Sequence, residues 1–205
     1  MIMKLHFVRH GESEANLLNE FSNRGCKHGL TCKGRQQSAE LAQRLKGNSI
    51  ARLFSSPLLR AVQTAEILAK EFNVAYEITD ALREFDCGIL EGKSDGASWE
   101  IFNNVLNDWL QHGHWESHVE QGESFIDIKE RFVPFVEYLV EKYQNSVGSI
   151  VLVGHGGLYC CMLPLVLTNV DFHFSLAHSI NNTGYVEAEI RPDGLFCQAW
   201  CETVL

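Results

Sequence analysis

Three short segments far apart in the chain, residues 5–8, 53–54 and 150–153, are rich in β-forming apolar side chains and stop abruptly at polar turns. Those turns read Arg9-His10-Gly11, Ser55-Ser56-Pro57 and Gly154-His155-Gly156-Gly157. Short apolar runs bounded by Gly or Pro are the signature of buried strands. Helical spacing follows the first two: Ala39, Leu41, Ala42 and Leu45 within residues 34–45, then Ala61, Ala65, Leu68 and Phe72. Ser56 and Pro57 predict the start of that second helix, the serine as cap and the proline at the first helical position. Residues 184–190 and 195–200, joined through Pro192-Asp193-Gly194, predict a closing hairpin. Strands alternating with helices predict a three-layer α/β/α sandwich around a mostly parallel central sheet. Ligands of such sheets gather beyond the carboxyl ends of the strands. His10, the segment from Ser55 to Arg60, and His155 all stand just past such an end.

A length of 205 residues suits one domain, here with a small helical cap inserted around residues 93–123. With 26 acidic against 17 basic residues, the formal charge of −9 argues against nucleic-acid binding. A chain so short of cations binds an anion only by concentrating them in one pocket. Seven cysteines, an odd and scattered set with Cys160 beside Cys161, do not form a secreted disulfide framework. The longest apolar run, residues 158–167, is too short to span a bilayer and contains Pro164. The residues before Arg9 contain no long apolar core or cleavage signal. The expectation is a cytoplasmic protein with no membrane or nucleic-acid partner; the oligomeric state is not encoded legibly.

The turn residues suit phosphoryl chemistry. A neutral imidazole attacks phosphorus directly, and the ordinary pKa of about 6.5 keeps His10 neutral near pH 7. The phosphate dianion must first be neutralised, and the planar fork of Arg9 matches its oxygens. Arg60, near the start of its helix, leans back toward the same point. His155 is placed to donate to an equatorial oxygen in the transition state. Asn16 and Ser22 offer neutral donors. Glu84, Asp86 and Glu91 are the candidates for protonating the leaving oxygen. Glu84 is preferred, although physical chemistry alone does not separate the three.

In this order the blocks resemble the histidine phosphatase superfamily, also called phosphoglycerate mutase-like, over nearly the whole chain. Arg9-His10-Gly11-Glu12-Ser13 with Asn16 is similar to the family's opening signature, and Leu30-Thr31 with Gly34 to its next turn. Ser55-Ser56-Pro57-Leu58-Leu59-Arg60-Ala61 with Gln63-Thr64-Ala65 resembles the second block. Leu82-Arg83-Glu84 with Gly88 and Glu91-Gly92 looks like the acid-base block, Gly122-Glu123-Ser124 like the segment before a long helix, and Gly154-His155-Gly156-Gly157 like the last catalytic block. The resemblance implies His10 as phosphorylated nucleophile, Arg9, Arg60 and His155 around the phosphoryl group, and Glu84 as proton donor. It implies no metal and no cofactor. Asn182-Thr183-Gly184 is similar to a family loop closing over the site.

The family divides by whether the phosphoryl group passes to water or to a sugar-acid phosphate. A mutase needs extra cations for a second anion, yet Lys93 is the only Lys or Arg between Phe85 and Glu123. The Arg- and Tyr-rich motif and the Arg-Arg pair of glycolytic mutases are absent. After Phe21 the chain reads Ser22-Asn23-Arg24-Gly25-Cys26-Lys27-His28 in place of the usual Trp and Asp. The expectation is hydrolysis of a small phosphorylated metabolite: a sugar phosphate, nucleotide, phosphoglycerate or ribazole phosphate. The alternatives are a cofactor-dependent mutase, a phosphoprotein phosphatase, and a non-catalytic binder of phosphorylated ligands. In the segment 99–121, Trp99, Phe102, Trp109 and Trp115 are expected to pack the cap to the body. His112, His114 and His118 match no strong zinc spacing.

Overall fold

A strand without a polar side must be covered on both faces. Met3–Arg9 form strand β1, in which Met3, Leu5, Phe7 and Val8 are all buried. The computed structural model describes residues 2–201 and 203–205. After β1 come α1 (Glu14–Leu18), α2 (Cys32–Leu45), β2 (Ile50–Ser55), α3 (Leu59–Phe72) and β3 (Tyr76–Ile78). Then follow α4 (Gly96–His112), α5 (Phe125–Tyr143), β4 (Gly148–Gly154), α6 (Gly156–Met162) and α7 (Phe172–Ala177). Strands β5 (Tyr185–Arg191), β6 (Gly194–Trp200) and β7 (Thr203–Val204) close the chain.

The sheet order is β3-β2-β4-β1-β5-β6-β7. Strands β3, β2, β4 and β1 are parallel, with Met3 opposite Gly148 and Arg9 opposite Gly154. Strands β5, β6 and β7 run antiparallel, Lys4 pairing with Glu189 across β1 and β5. The sheet is therefore mixed, parallel on one half and antiparallel on the hairpin half. The sequences follow that division. β4 is apolar on both faces from Ile150 to Val153, whereas β5 alternates buried Val186, Ala188 and Ile190 with outward Glu187 and Glu189.

Helices α2 and α3 cover one face through Leu41, Leu45, Ala61, Ala65 and Leu68, packed on Leu53, Val151 and Val153. The other face packs Phe7, Leu152 and Ile150 against Phe132, Val136 and Leu139 of α5 and Leu158 and Tyr159 of α6. Ser124 starts α5 with a capping box, its hydroxyl accepting from the Asp127 amide. The aromatics of α4 pack inward: Trp109 is buried, Phe102 stacks on Phe85 at 5.7 Å, and Trp99 lies 4.3 Å from Phe21. Among the described residues no helix is long and apolar enough to cross a membrane.

Two helix starts differ from the sequence reading. Helix α2 begins at Cys32, two residues early, because Thr31 accepts a hydrogen bond from the Gly34 amide and caps it. Helix α3 begins at Leu59, two residues past Pro57. Ser56 takes the Leu58 amide in a local turn instead, and its hydroxyl is thereby freed to reach His155. Gly34 also sets the approach of α2 to the turn after β1, since a Cβ there would stand 1.9 Å from the Glu12 carbonyl oxygen. The parallel strands β1, β2 and β4 end side by side, at Arg9, Ser55 and Gly154, and so bring three polar turns to one edge.

Candidate active site

His10 is held by backbone on every side. Its amide donates to the Gly154 carbonyl at 3.0 Å, and its carbonyl accepts from the Thr183 amide at 3.3 Å and from Asn182 Nδ2 at 3.1 Å. The next amide, of Gly11, donates to Thr64 Oγ1 at 3.1 Å. The ring is 3% exposed, and its Nδ1 lies 2.7 Å from the Gly11 carbonyl oxygen. A carbonyl only accepts, so Nδ1 carries the proton and Nε2 keeps its lone pair. Burial, and then the charges of Arg60 and Arg9, hold the imidazole pKa well below 6.5. The ring is thus neutral, with a defined nucleophilic atom.

Arg60, the second residue of α3, donates from Nε to His10 Nε2 at 3.1 Å. Its Nη1 donates to the Ser22 carbonyl at 2.6 Å and its Nη2 to Asn23 Oδ1 at 3.3 Å. Burial draws this guanidinium down to about 10, still a cation at neutral pH. The His155 ring lies 5.1 Å from that of His10. Ser56 Oγ accepts from the Leu58 amide and lies 2.7 Å from His155 Nε2, tying that ring to the turn after β2. Arg9 Nη1 donates to the Ile180 carbonyl at 2.7 Å. Among the described residues the buried Arg9 Nε and His155 Nδ1 have no hydrogen-bond partner. A buried donor such as Arg9 Nε is costly unless an acceptor meets it, and an anion beside His10 would.

Glu84 closes the cavity from the segment after β3. Its carboxylate accepts the amides of Phe85 at 3.2 Å, Gly157 at 3.1 Å and Leu158 at 2.7 Å. Gly157 permits this approach: a Cβ there would lie 3.0 Å from both carboxylate oxygens. Burial raises the Glu84 pKa, outweighing the opposing pull of Arg60 and the three amides. Asp86 and Glu91 have other work. Asp86 receives Arg24 Nε at 2.9 and 2.8 Å and the Gly88 amide, while Glu91 receives the amides of Asn23 and Arg24. Of the three carboxylates, Glu84 alone lines the cavity of about 210 Å³ that also contains His10, Asn16, Ser22, Arg60 and Gly157.

The structure therefore brings His10, Arg60, Glu84, Asn16 and Ser22 to one cavity, with His155 and Arg9 packed beside His10. Asn16 Oδ1 accepts from Ser13 and Asn182, which leaves its Nδ2 to a ligand. Ser22 Oγ is bonded to His28 Nδ1 at 2.9 Å. Asn182 is absent from the cavity wall and holds the His10 carbonyl and Asn16 from behind. Sequence reasoning missed Asn23, which links Arg60 to the Phe85 carbonyl, and Thr64, which fixes Gly11 and donates to the Arg60 carbonyl. Thr64 faces the site four residues after Arg60, a helical spacing that offered the signal. Nothing local marks Asn23. Of the cap histidines, His114 lies 3.6 Å from Asp108 and His118 bonds the Glu116 carbonyl. Among the described residues no three His, Cys, Asp or Glu are grouped to hold a metal ion.

The family model of the histidine phosphatase superfamily (branch 1) matches residues 5–203. The chain belongs to the histidine phosphatase superfamily. Among curated members, the chain is 30% identical over 166 residues to the probable phosphoglycerate mutase GpmB of Escherichia fergusonii, covering 81% of this chain and 75% of that protein. Among solved members, the phosphoserine phosphatase of Entamoeba histolytica in complex with 3-phosphoglyceric acid superposes with a TM-score of 0.78 at 26% identity, over 98% of each chain. The mycobacterial glucosyl-3-phosphoglycerate phosphatase in complex with VO3 shares the fold, with a TM-score of 0.80 at 22% identity over 98% of this chain and 99% of that one. Its solved neighbours in the superfamily include several phosphatases.

Proposed function

We propose that this histidine phosphatase superfamily member hydrolyses small phosphomonoesters through a phosphohistidine on His10, with Glu84 as proton donor and no metal ion taking part. One observation carries this reading: His10 Nε2 keeps its lone pair inside a cavity whose other wall is a carboxyl with a raised pKa. In the first step Nε2 bonds to phosphorus as the ester P–O bond breaks, and Glu84 gives its proton to the departing alcohol oxygen. Arg9, Arg60 and His155 Nδ1 offset charge on the phosphoryl oxygens. In the second step water attacks phosphorus, Glu84 takes its proton back, and the N–P bond breaks to free phosphate and neutral His10.

Hydrolysis rather than transfer is supported by the fate of the rim cations. Arg24 is engaged by Asp86 and Lys27 by Glu20, so neither stands ready for a second anionic group. The names of the curated relatives favour the mutase reading. The test is turnover of p-nitrophenyl phosphate and 3-phosphoglycerate in chelator, with and without 2,3-bisphosphoglycerate. Free phosphate without 2-phosphoglycerate is the expected result. Bisphosphate-dependent interconversion of the two phosphoglycerates would make the enzyme a mutase. Absence of both reactions, with no acid-labile label on His10, would leave a non-catalytic binder.

A further inference from the structure

The cavity is chemically divided. Around His10 stand Arg60, Asn16 and Glu84, whereas the remaining wall includes Glu20, Phe21, Trp99 and Phe102. The three aromatic rings form one cluster, with centroids 4.3 Å apart for Phe21 and Trp99, 5.2 Å for Phe21 and Phe102, and 5.6 Å for Trp99 and Phe102. Among the described residues Arg60 is the only Lys or Arg on the cavity wall, and the phosphoryl group would use it.

Glu20 supplies the charge on the aromatic side. Its side chain is 13% exposed, and the His28 Nε2 atom lies 3.8 Å from its Oε1. Lys27 donates to the same Oε1, but it is 60% exposed and is not part of the cavity wall. A substrate whose alcohol carries a carboxylate or second phosphate would bring that anion to Glu20 and to ring faces of negative potential. An ammonium group would find a carboxylate and a cation–π surface together.

We propose that the cavity selects phosphomonoesters whose alcohol part carries an ammonium group, with Glu20 as the specificity-determining residue. The inference rests on the phosphomonoester reading above. It adds a charge preference that the phosphoryl-binding residues do not contain.

The experiment measures binding as well as turnover, so that the two readings fail separately. Three benzylphosphonates, bearing 4-(2-aminoethyl), 4-ethyl and 4-(2-carboxyethyl) groups, are titrated calorimetrically into the wild type, Glu20→Gln and Lys27→Met proteins. The charged groups are separated from the ring by two methylenes, and from phosphorus by the ring and the benzylic carbon as well. In the wild type the aminoethyl compound is expected to bind roughly threefold to tenfold more tightly than the ethyl compound, the scale of one partly solvated charge pair. The carboxyethyl compound is expected to bind weakest.

The ratio of aminoethyl to ethyl affinity should fall toward one in Glu20→Gln and rise in Lys27→Met, where the carboxylate loses its competitor. A purely structural role for Glu20 would not move the two variants in opposite directions. Tightest binding of the carboxyethyl compound, or a Lys27→Met ratio equal to that of the wild type, overturns the proposal. Should Glu20→Gln fail to fold, the wild-type order and the Lys27→Met ratio still decide. Turnover of the matching phosphate esters, followed in parallel, reports on the phosphatase reading alone.

Discussion

Glu84 is held by three backbone amides, which favour its ionised form, yet burial lifts its pKa above the ordinary carboxyl value. A carboxyl so placed suits the proton-donor role proposed for it. Glu84→Gln should therefore slow an alkyl phosphate by about 100-fold or more, and an activated aryl phosphate far less, because a good leaving group needs little protonation. Equal losses on both esters, measured as kcat/KM, would remove Glu84 from the acid role. His10→Ala should abolish both turnover and the phosphoenzyme label. The meeting of His10, Arg9 and Arg60 was legible in the sequence, because all three lie at or just past strands read from their apolar runs. The choice among Glu84, Asp86 and Glu91 was not, because it depends on Arg24 and two backbone amides folding over Asp86 and Glu91 from residues 23–24. His6 was also illegible as a liability. It is fully buried in β1, neither ring nitrogen has a hydrogen-bond partner among the described residues, and burial lowers its pKa to about 4 against the opposing charge of Glu187 at 3.7 Å. The unfolded chain takes up this proton near 6.5 and the folded one only near 4. Its contribution to stability is thus fully present above pH 6.5 and is lost as pH falls toward 4, at up to about 1.4 kcal/mol per unit. His6→Leu should flatten that slope in urea melts at pH 7.5 and 5; an unaltered slope would place the acid sensitivity elsewhere.

At the scale of elements, close approach rather than helix propensity governs the site. Helix α2 meets the loop after β1 at Gly34, where a Cβ would fall 1.9 Å from the Glu12 oxygen and 2.8 Å from its carbonyl carbon. Backbone cannot yield as a flexible side chain can. Gly34→Ala should cost about 1–3 kcal/mol and lower turnover, since the displaced loop carries His10. A variant with wild-type melting temperature and activity would contradict this. The starts of α2 and α3 were read to within two residues, from apolar spacing for the first and from Ser56-Pro57 for the second. Their starts were misplaced because Thr31 competed successfully as a cap, and because Ser56 spends its hydroxyl on His155 rather than on the helix. Side-chain loyalty of that kind is decided by a neighbour 99 residues away, which no local pattern contains.

For the whole molecule, the sheet is what gathers the site, and its parallel half was legible because β1 and β4 have no polar face to spare. The hairpin half was legible from its turn and its alternation, but its attachment to β1 was not, since a strand's edge carries no address. Because Arg9 and Arg60 supply two fixed positive charges beside His10, turnover is expected to persist in excess EDTA. Its loss there, with recovery on adding zinc, would show a metal-dependent reaction. The position of β1 has a further consequence for how this molecule comes into being. The strand that leads into His10 emerges from the ribosome before its flanking strands. Yet it acquires its neighbours only when Gly148–Gly154 and then Tyr185–Arg191 have followed. More than nine-tenths of the chain must therefore be made before its centre can close. A polypeptide short of those strands holds His10 without the frame that aims it, so chemical competence would come late in synthesis, once they pair with β1.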